Sequence, residues 1–158
     1  MYLIYIIIFI YFLTVSLTLK VFWWLRAGLQ LVRREAIPIS TYFEGFPENM
    51  TVDAVYERKS DQKIMFFVGA QYWLFSANRL YAGPKPLTSL GLPSDLESID
   101  AITNWGHNGR AYIFSSSIYW KLDEDEQHVE TDYPRDMTVW KGVPLNVDAA
   151  FTWEFDSK

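Results

Sequence analysis

A repeat with an offset of 47 residues constrains this chain more than any other sequence feature. Asp53-Ala54 is followed by Tyr72-Trp73, and the same two signals recur at Asp100-Ala101 and Tyr119-Trp120. A third Asp-Ala pair, Asp148-Ala149, begins 48 residues after the second. A Gly-apolar-Pro triplet precedes each pair, at residues 45–47, 91–93 and 142–144. A period of roughly 40–50 residues with several short strands per unit is typical of the blades of a β-propeller.

The residues inside each unit predict short antiparallel strands joined by tight turns. For the first complete unit, strands are predicted over residues 52–57, 63–68 and 71–75, and Gly69-Ala70 permits the reversal between the last two. The prolines within residues 83–86 predict that any fourth strand is an irregular outer edge. The next unit repeats the scheme, with strands predicted over residues 99–105, 110–114 and 118–122. A final strand is predicted over residues 147–154.

The beginning of the chain fits the same repeat only in part. Phe22-Trp23 lies 50 residues before Tyr72-Trp73, where the third strand of an earlier blade is expected. The first half of that blade is missing, and its place is taken by residues 1–19, which contain no charged side chain. This apolar segment has three explanations: a mis-assigned gene start, a signal peptide or a membrane anchor.

Composition excludes several classes of protein and site. The formal net charge of −5 argues against nucleic-acid binding, because Lys and Arg are not in excess to neutralise phosphates. The chain has no cysteine, so neither a disulfide nor a thiolate metal site is available within it. Aromatic residues make up 18% of the sequence, which suits a small core rich in β-structure.

These segments resemble the hemopexin-like domain, the four-bladed propeller of the matrix metalloproteinases. The resemblance covers about residues 21–158 and rests on residues 52–58, 66–73, 89–93, 119–124, 133–135 and 140–144 together with Asp148-Ala149-Ala150-Phe151. It implies an all-β, four-bladed hemopexin-like β-propeller that is incomplete. We expect a hydrophobic leader (residues 1–19) and a partial propeller (20–158), made of a blade one remnant (20–51), blade two (52–98), blade three (99–146) and the start of blade four (147–158). The local sequence is most similar to membrane-type metalloproteinases, including those with a glycolipid anchor.

The resemblance also implies a set of metal ligands. In the family, backbone carbonyls of the first strands line a central channel and hold calcium, an ion that prefers oxygen ligands. The corresponding residues here are Asp53, Val55, Asp100, Ile102, Asp148 and Ala150. The alternative is that each Asp-Ala pair only begins a blade, with the carboxylate bonded to neighbouring backbone and the alanine fitting a crowded axis. No His-Glu-x-x-His motif occurs in the sequence, so the family's catalytic zinc site is absent from this chain.

Four further features have a structural and a functional interpretation. Asn49-Met50-Thr51 matches the acceptor pattern for N-glycosylation. His107 and His128 are the only histidines, and we expect surface residues rather than haem ligands. We expect the acidic run at residues 123–126 to be a solvated loop tip, not a calcium cluster or an acid–base pair. The Tyr-Trp pairs are expected to pack blades together rather than to form a platform for sugars or peptides.

The resemblance implies a non-catalytic interaction module located outside the cell or at its surface. Its partners would be extracellular-matrix proteins, metalloproteinase inhibitors or a second copy of the domain, whereas hydrolysis would belong to a separate zinc domain. The alternative is a hemopexin-type carrier of a small ligand such as haem or a polyamine. Because an incomplete ring exposes strand edges, we expect the isolated chain to be poorly soluble or oligomeric.

Overall fold

The computed structural model describes residues 21–22, 25–26, 30–31 and 37–150. These residues form antiparallel sheets with very little helix. Residues 1–19 and 151–158 lie outside the described ranges, and with them the predicted leader and half of the strand predicted over residues 147–154. The other half of that strand, residues 147–150, is not in a strand conformation. No helix in the described ranges is long and apolar enough to cross a membrane.

Blade two is a four-stranded antiparallel sheet whose strands pair in sequence order. Its strands are β5 (Ala54–Glu57), β6 (Ile64–Val68), β7 (Gln71–Ser76) and β8 (Arg79–Pro86). The expectation of an irregular outer edge is confirmed, because β8 is the edge strand of this sheet and its register with β7 is shifted. β8 is eight residues long and includes both prolines. Prolines are tolerated at a sheet edge, where the N–H they lack can face away from the neighbouring strand. The irregularity is confined to shifts of the β7–β8 register around Leu74.

Blade three repeats this plan with a divided outer strand. Its inner strands are β9 (Ala101–Trp105), β10 (Arg110–Ser115) and β11 (Ile118–Asp123). Two short strands, β12 (His128–Val129) and β13 (Arg135–Asp136), both pair with β11 where blade two has the single strand β8. The two complete blades therefore share their inner three strands and differ at the outer edge.

The chain before blade two contains a further pair of hairpin fragments. The short strands are β1 (Val21–Phe22), β2 (Leu25–Arg26), β3 (Gln30–Leu31) and β4 (Ile37–Pro38). In β1 and β4, Val21 pairs with Pro38, just as Gln71 pairs with Pro86 in β7 and β8. A short helix, α1 (Ile39–Tyr42), follows β4 as a 3-10 turn (Leu87–Leu90) follows β8. The arrangement is that of the outer half of a blade.

Successive side chains of each strand point to opposite faces, so each blade contributes to two cores. The first core lies between one face of blade two and the segment before it, and consists of Ile39, Phe43, Phe46, Val52, Ile64, Phe66, Trp73 and Phe75. The second core fills the space between blades two and three, with Tyr56, Met65, Phe67, Tyr72, Ile102, Ile113, Trp120 and Leu122 among its members. The third core lies on the far face of blade three and consists of Ala101, Tyr112, Phe114, Tyr119 and Met137.

The Tyr-Trp pairs lie in these cores, as predicted. Trp73 is 3% exposed and belongs to the first core, whereas its neighbour Tyr72 belongs to the second. One repeat later, Trp120 lies in the second core and Tyr119 in the third. Each pair therefore joins its blade to the structures on both sides.

Replacement of Trp73 by alanine should lower the free energy of unfolding by about 3–5 kcal/mol, because a large buried ring leaves a cavity in the first core. Urea denaturation followed by circular dichroism measures the change. Tyr81→Ala is the matched control, since Tyr81 is 64% exposed and its loss should change stability by at most about 0.5 kcal/mol. Equal losses for the two variants would show that Trp73 does not hold the blades together.

Candidate functional site

The two aspartates that precede the inner strands bind backbone of their own blades. The Asp53 carboxylate Oδ2 accepts a hydrogen bond from the Gly69 amide at 2.6 Å. The Asp100 carboxylate Oδ2 accepts one from the Ser116 amide at 2.5 Å. Gly69 and Ser116 begin equivalent two-residue turns, between β6 and β7 and between β10 and β11. Each aspartate thus fastens the start of the inner strand to the neighbouring hairpin turn.

These carboxylates stabilise a turn geometry that is costly for ordinary residues. Gly69 and Ser116 both have a φ of 54°, in the left-handed region that favours glycine. Ser116 adopts it with a side chain present, and its amide is held by the charged Asp100 oxygen. A hydrogen bond to a charged acceptor is stronger than one between neutral groups.

The structure places three of the other predicted channel residues in or against the cores and leaves the fourth exposed. Val55 is half-buried against the first core and Ile102 is buried in the second. Ala150 packs against the third core, and Asp148 is exposed. The side chains two residues after each aspartate therefore face the preceding blade or segment.

The first strands of the two complete blades, β5 and β9, offer backbone oxygens as potential metal ligands. β5 and β9 pack against each other, and each has a partner strand on one side only. An antiparallel strand at the edge of its sheet has carbonyl groups on its free side that the sheet does not use. Across the described ranges, no group of three or more His, Asp or Glu side chains is placed to hold a metal ion. Carbonyl oxygens fit calcium, whereas the Asp53 and Asp100 carboxylates already accept amide hydrogen bonds.

A polar cluster joins blades two and three at the ends of their inner strands, and we call its members, Tyr56, Ser60, Asn104 and Glu124, the junction cluster. The Tyr56 hydroxyl donates a hydrogen bond to Glu124 Oε1, and the Ser60 amide donates to Glu124 Oε2 at 3.0 Å. Asn104 Nδ2 donates to the Tyr56 hydroxyl at 3.5 Å and to the Gly109 carbonyl at 2.8 Å. One carboxylate of blade three therefore binds two groups of blade two.

Burial and the hydrogen bond to Glu124 raise the pKa of Tyr56, so its hydroxyl remains a neutral donor. Beside this cluster, the buried guanidinium of Arg58 forms two hydrogen bonds with Asp61 and holds the pKa of that carboxyl well below its usual range. Lys63 Nζ lies 2.7 Å from the same carboxylate. The Asp61 carboxylate thus joins the two ends of the β5–β6 turn, Arg58 and Lys63.

The expectation that residues 123–126 form a solvated loop tip is wrong for Glu124, which crosses the junction. Asp123 Oδ1 accepts from the amides of Asp125 and Glu126 at 2.9 and 3.1 Å, which fixes the turn. Only Asp125 and Glu126 are exposed, as the solvated interpretation requires. A buried tyrosine hydroxyl predicts a partner, but no sequence signal identifies Glu124, 68 residues away, as that partner.

Both histidines are exposed, as predicted. The His107 ring lies 5.5 Å from the Trp105 ring, measured between centroids. His128 Nδ1 lies 2.7 Å from the Val129 carbonyl oxygen. The two imidazoles thus have different surroundings, His107 in the β9–β10 turn and His128 at the start of β12.

A double-mutant cycle of Tyr56→Phe and Glu124→Ala should give a coupling free energy of about 1–2 kcal/mol in urea denaturation, because the bond has a charged acceptor. Pairing Tyr56→Phe with Asp125→Ala is the control, since Asp125 lies in the same acidic run but is exposed. That second cycle should give a coupling near zero, and equal values would contradict the junction.

Tyr56→Phe also tests how the stability of the fold depends on pH. Free tyrosine ionises near pH ~10, and the fold raises the pKa of Tyr56 above its free value. The neutral Tyr56 hydroxyl therefore contributes fully to stability below pH ~10, and this contribution is lost as the pH rises further. Stability should therefore fall less steeply above pH ~10 in Tyr56→Phe than in the original chain.

The Hemopexin family model matches residues 52–94 and 99–144, the two complete blades. Matrix metalloproteinase-2 of Drosophila melanogaster is 51% identical over 117 residues, covering 73% of this chain and 15% of that protein. Human matrix metalloproteinase-25 is 38% identical over 128 residues, covering 80% of this chain and 23% of that protein. The chain therefore spans less than a quarter of the length of either relative.

Among solved structures, the hemopexin fold protein CP4 from cow pea superposes with a TM-score of 0.63, over 81% of this chain and 64% of that one. Its 15% sequence identity supports a shared fold only. The blades described above are those that the family model matches. The chain therefore belongs to the hemopexin family, as a hemopexin-like propeller domain of the matrix metalloproteinase type.

Proposed function

We propose that this chain is a non-catalytic interaction module of a matrix metalloproteinase that acts outside the cell or at its surface. Its partners are extracellular-matrix proteins or metalloproteinase inhibitors, and the module self-associates. The observation behind this proposal is the family match across both complete blades, combined with 51% identity to a matrix metalloproteinase. The repeated residues of those blades pack the cores or form hydrogen bonds within the sheets, so other surface residues would recognise a partner protein.

The outer edge of blade two offers the best surface for a protein partner. There Leu80 is 39% and Tyr81 is 64% exposed, and Lys63 Nζ lies 4.2 Å from the centre of the Tyr81 ring. Arg79 is exposed beside them on β8. Tyrosine and arginine are enriched among residues that dominate protein interfaces. The exposed apolar residues Val139 and Val143 instead flank Trp140 in sequence, which packs against the third core. That core lies on the face by which blades stack.

Immobilised fibrillar collagen, denatured collagen and a metalloproteinase inhibitor protein should be tested for saturable binding of the full chain. We expect at least one to bind, and Tyr81→Ala to weaken binding about tenfold or more, as loss of an interface anchor does. Val139→Ala is the control, because Val139 is 62% exposed but directly precedes Trp140, which packs against the third core. Absence of binding to all three would overturn the proposal, and a shifted Soret band on titration with haem would favour a carrier instead.

A structural calcium ion is the second part of the proposed function. Backbone carbonyls at Asp53, Val55, Asp100 and Ile102 would supply oxygen ligands from the two inner strands, with Asp148 and Ala150 in the equivalent positions of the next unit. Calcium requires six to eight oxygens, which main-chain groups converging on an axis can partly provide. The ion would tie the ends of adjacent inner strands together.

Asp53→Ala should distinguish the structural role of the Asp53 carboxylate, which accepts from the Gly69 amide, from a role in binding calcium. We expect a loss of about 1–3 kcal/mol in the free energy of unfolding, because the Gly69 amide loses a charged acceptor. Calcium uptake measured by calorimetry should persist, because the proposed ligands are carbonyl oxygens. Loss of uptake in the variant would make the carboxylate a ligand, and absence of uptake by the original chain would remove the calcium site.

A further inference from the structure

The glycosylation pattern Asn49-Met50-Thr51 lies in a surface loop between two buried anchors. Phe46 is 6% exposed and Val52 is 1% exposed, and both pack in the first core. Between them Asn49 is exposed and Met50 is 39% exposed. The core therefore fixes both ends of the loop while the acceptor residue remains in solvent.

The backbone conformation of Asn49 is compatible with asparagine, and its exposed side chain takes no part in core packing. Its φ is 61°, in the left-handed region that asparagine tolerates better than most residues. In the described part of the chain, the Asn49 amide group has no hydrogen-bond partner. The side-chain nitrogen is therefore available for a covalent reaction, and a bulky attachment there displaces no core residue.

We propose that Asn49 is an N-glycosylation site. The inference rests on the proposed function for its cellular context, since the reaction takes place in the secretory pathway. The Nδ2 atom of Asn49 attacks the anomeric carbon of a lipid-diphosphate-linked oligosaccharide, forming an N–C bond and losing one proton. The anomeric C–O bond breaks and the lipid diphosphate leaves. The Thr51 hydroxyl, two residues after Asn49, completes the acceptor pattern.

The chain contains a matched internal control in Asn146. Like Asn49, it is exposed and has a positive φ, in this case 57°, and it lies shortly before an Asp-Ala pair. The residue two positions after it is Asp148 rather than serine or threonine. Exposure and backbone conformation are thus similar at the two sites, whereas the hydroxyl residue of the acceptor pattern is present only after Asn49.

The full chain should be produced in insect cells behind an added secretion signal, and its peptides analysed by mass spectrometry before and after peptide N-glycosidase treatment. We expect a glycan on Asn49 and none on Asn146. Thr51→Ala and Asn49→Gln should each abolish the enzyme-sensitive mass, whereas Thr51→Ser should retain it. Retention of the glycan in Thr51→Ser, together with unchanged circular dichroism, separates loss of the acceptor from loss of folding.

An unmodified Asn49 in the secreted original chain would overturn the inference. The added signal delivers the chain to the secretory pathway whatever its natural location, so this result is independent of the proposed function. Conversely, failure to bind matrix proteins or inhibitors would reject the proposed function while leaving a glycan on Asn49 in place.

Discussion

The structure depends on the burial of apolar faces between consecutive blades. A single twisted sheet with large side chains on both faces cannot bury either face alone, so each blade requires a neighbour on each side. Trp73 and Tyr72, adjacent in one strand, meet this requirement by entering the first and second cores. The same division at Tyr119 and Trp120 shows that the repeat in the sequence is a repeat of faces to be buried.

Polar groups set the geometry that apolar packing leaves open. Asp53 and Asp100 fasten inner strands to hairpin turns within a blade, and Glu124 fastens one blade to the next. Hydrophobic burial is non-directional, whereas hydrogen bonds to charged acceptors have a preferred distance and angle. Burial therefore stabilises the contact between blades, whereas the carboxylates of Asp53 and Asp100 fix turns within a blade and that of Glu124 fixes one polar contact between blades.

This use of polar residues limits where function can reside. Asp53, Asp100 and Glu124 are engaged in structural hydrogen bonds, and the Tyr-Trp pairs are buried. In the described part of the chain, the outer edge of blade two, the side of β5 and β9 that faces no partner strand and the exposed Asn49 loop lie outside these contacts. Each of these is a surface at which the proposed binding or attachment can take place.

The sequence by itself determined the period and the inner three strands of the two complete blades, because tight turns and alternating side chains are local signals. It also predicted that the Tyr-Trp pairs pack between blades. It also indicated that the Asp-Ala pairs begin the blades. It predicted the irregular outer edge that β8 forms, but it misjudged the acidic run, where Glu124 was expected in solvent. Only the tertiary structure decided that Glu124 meets Tyr56, because residues 68 apart come together through blade stacking and not through any local rule.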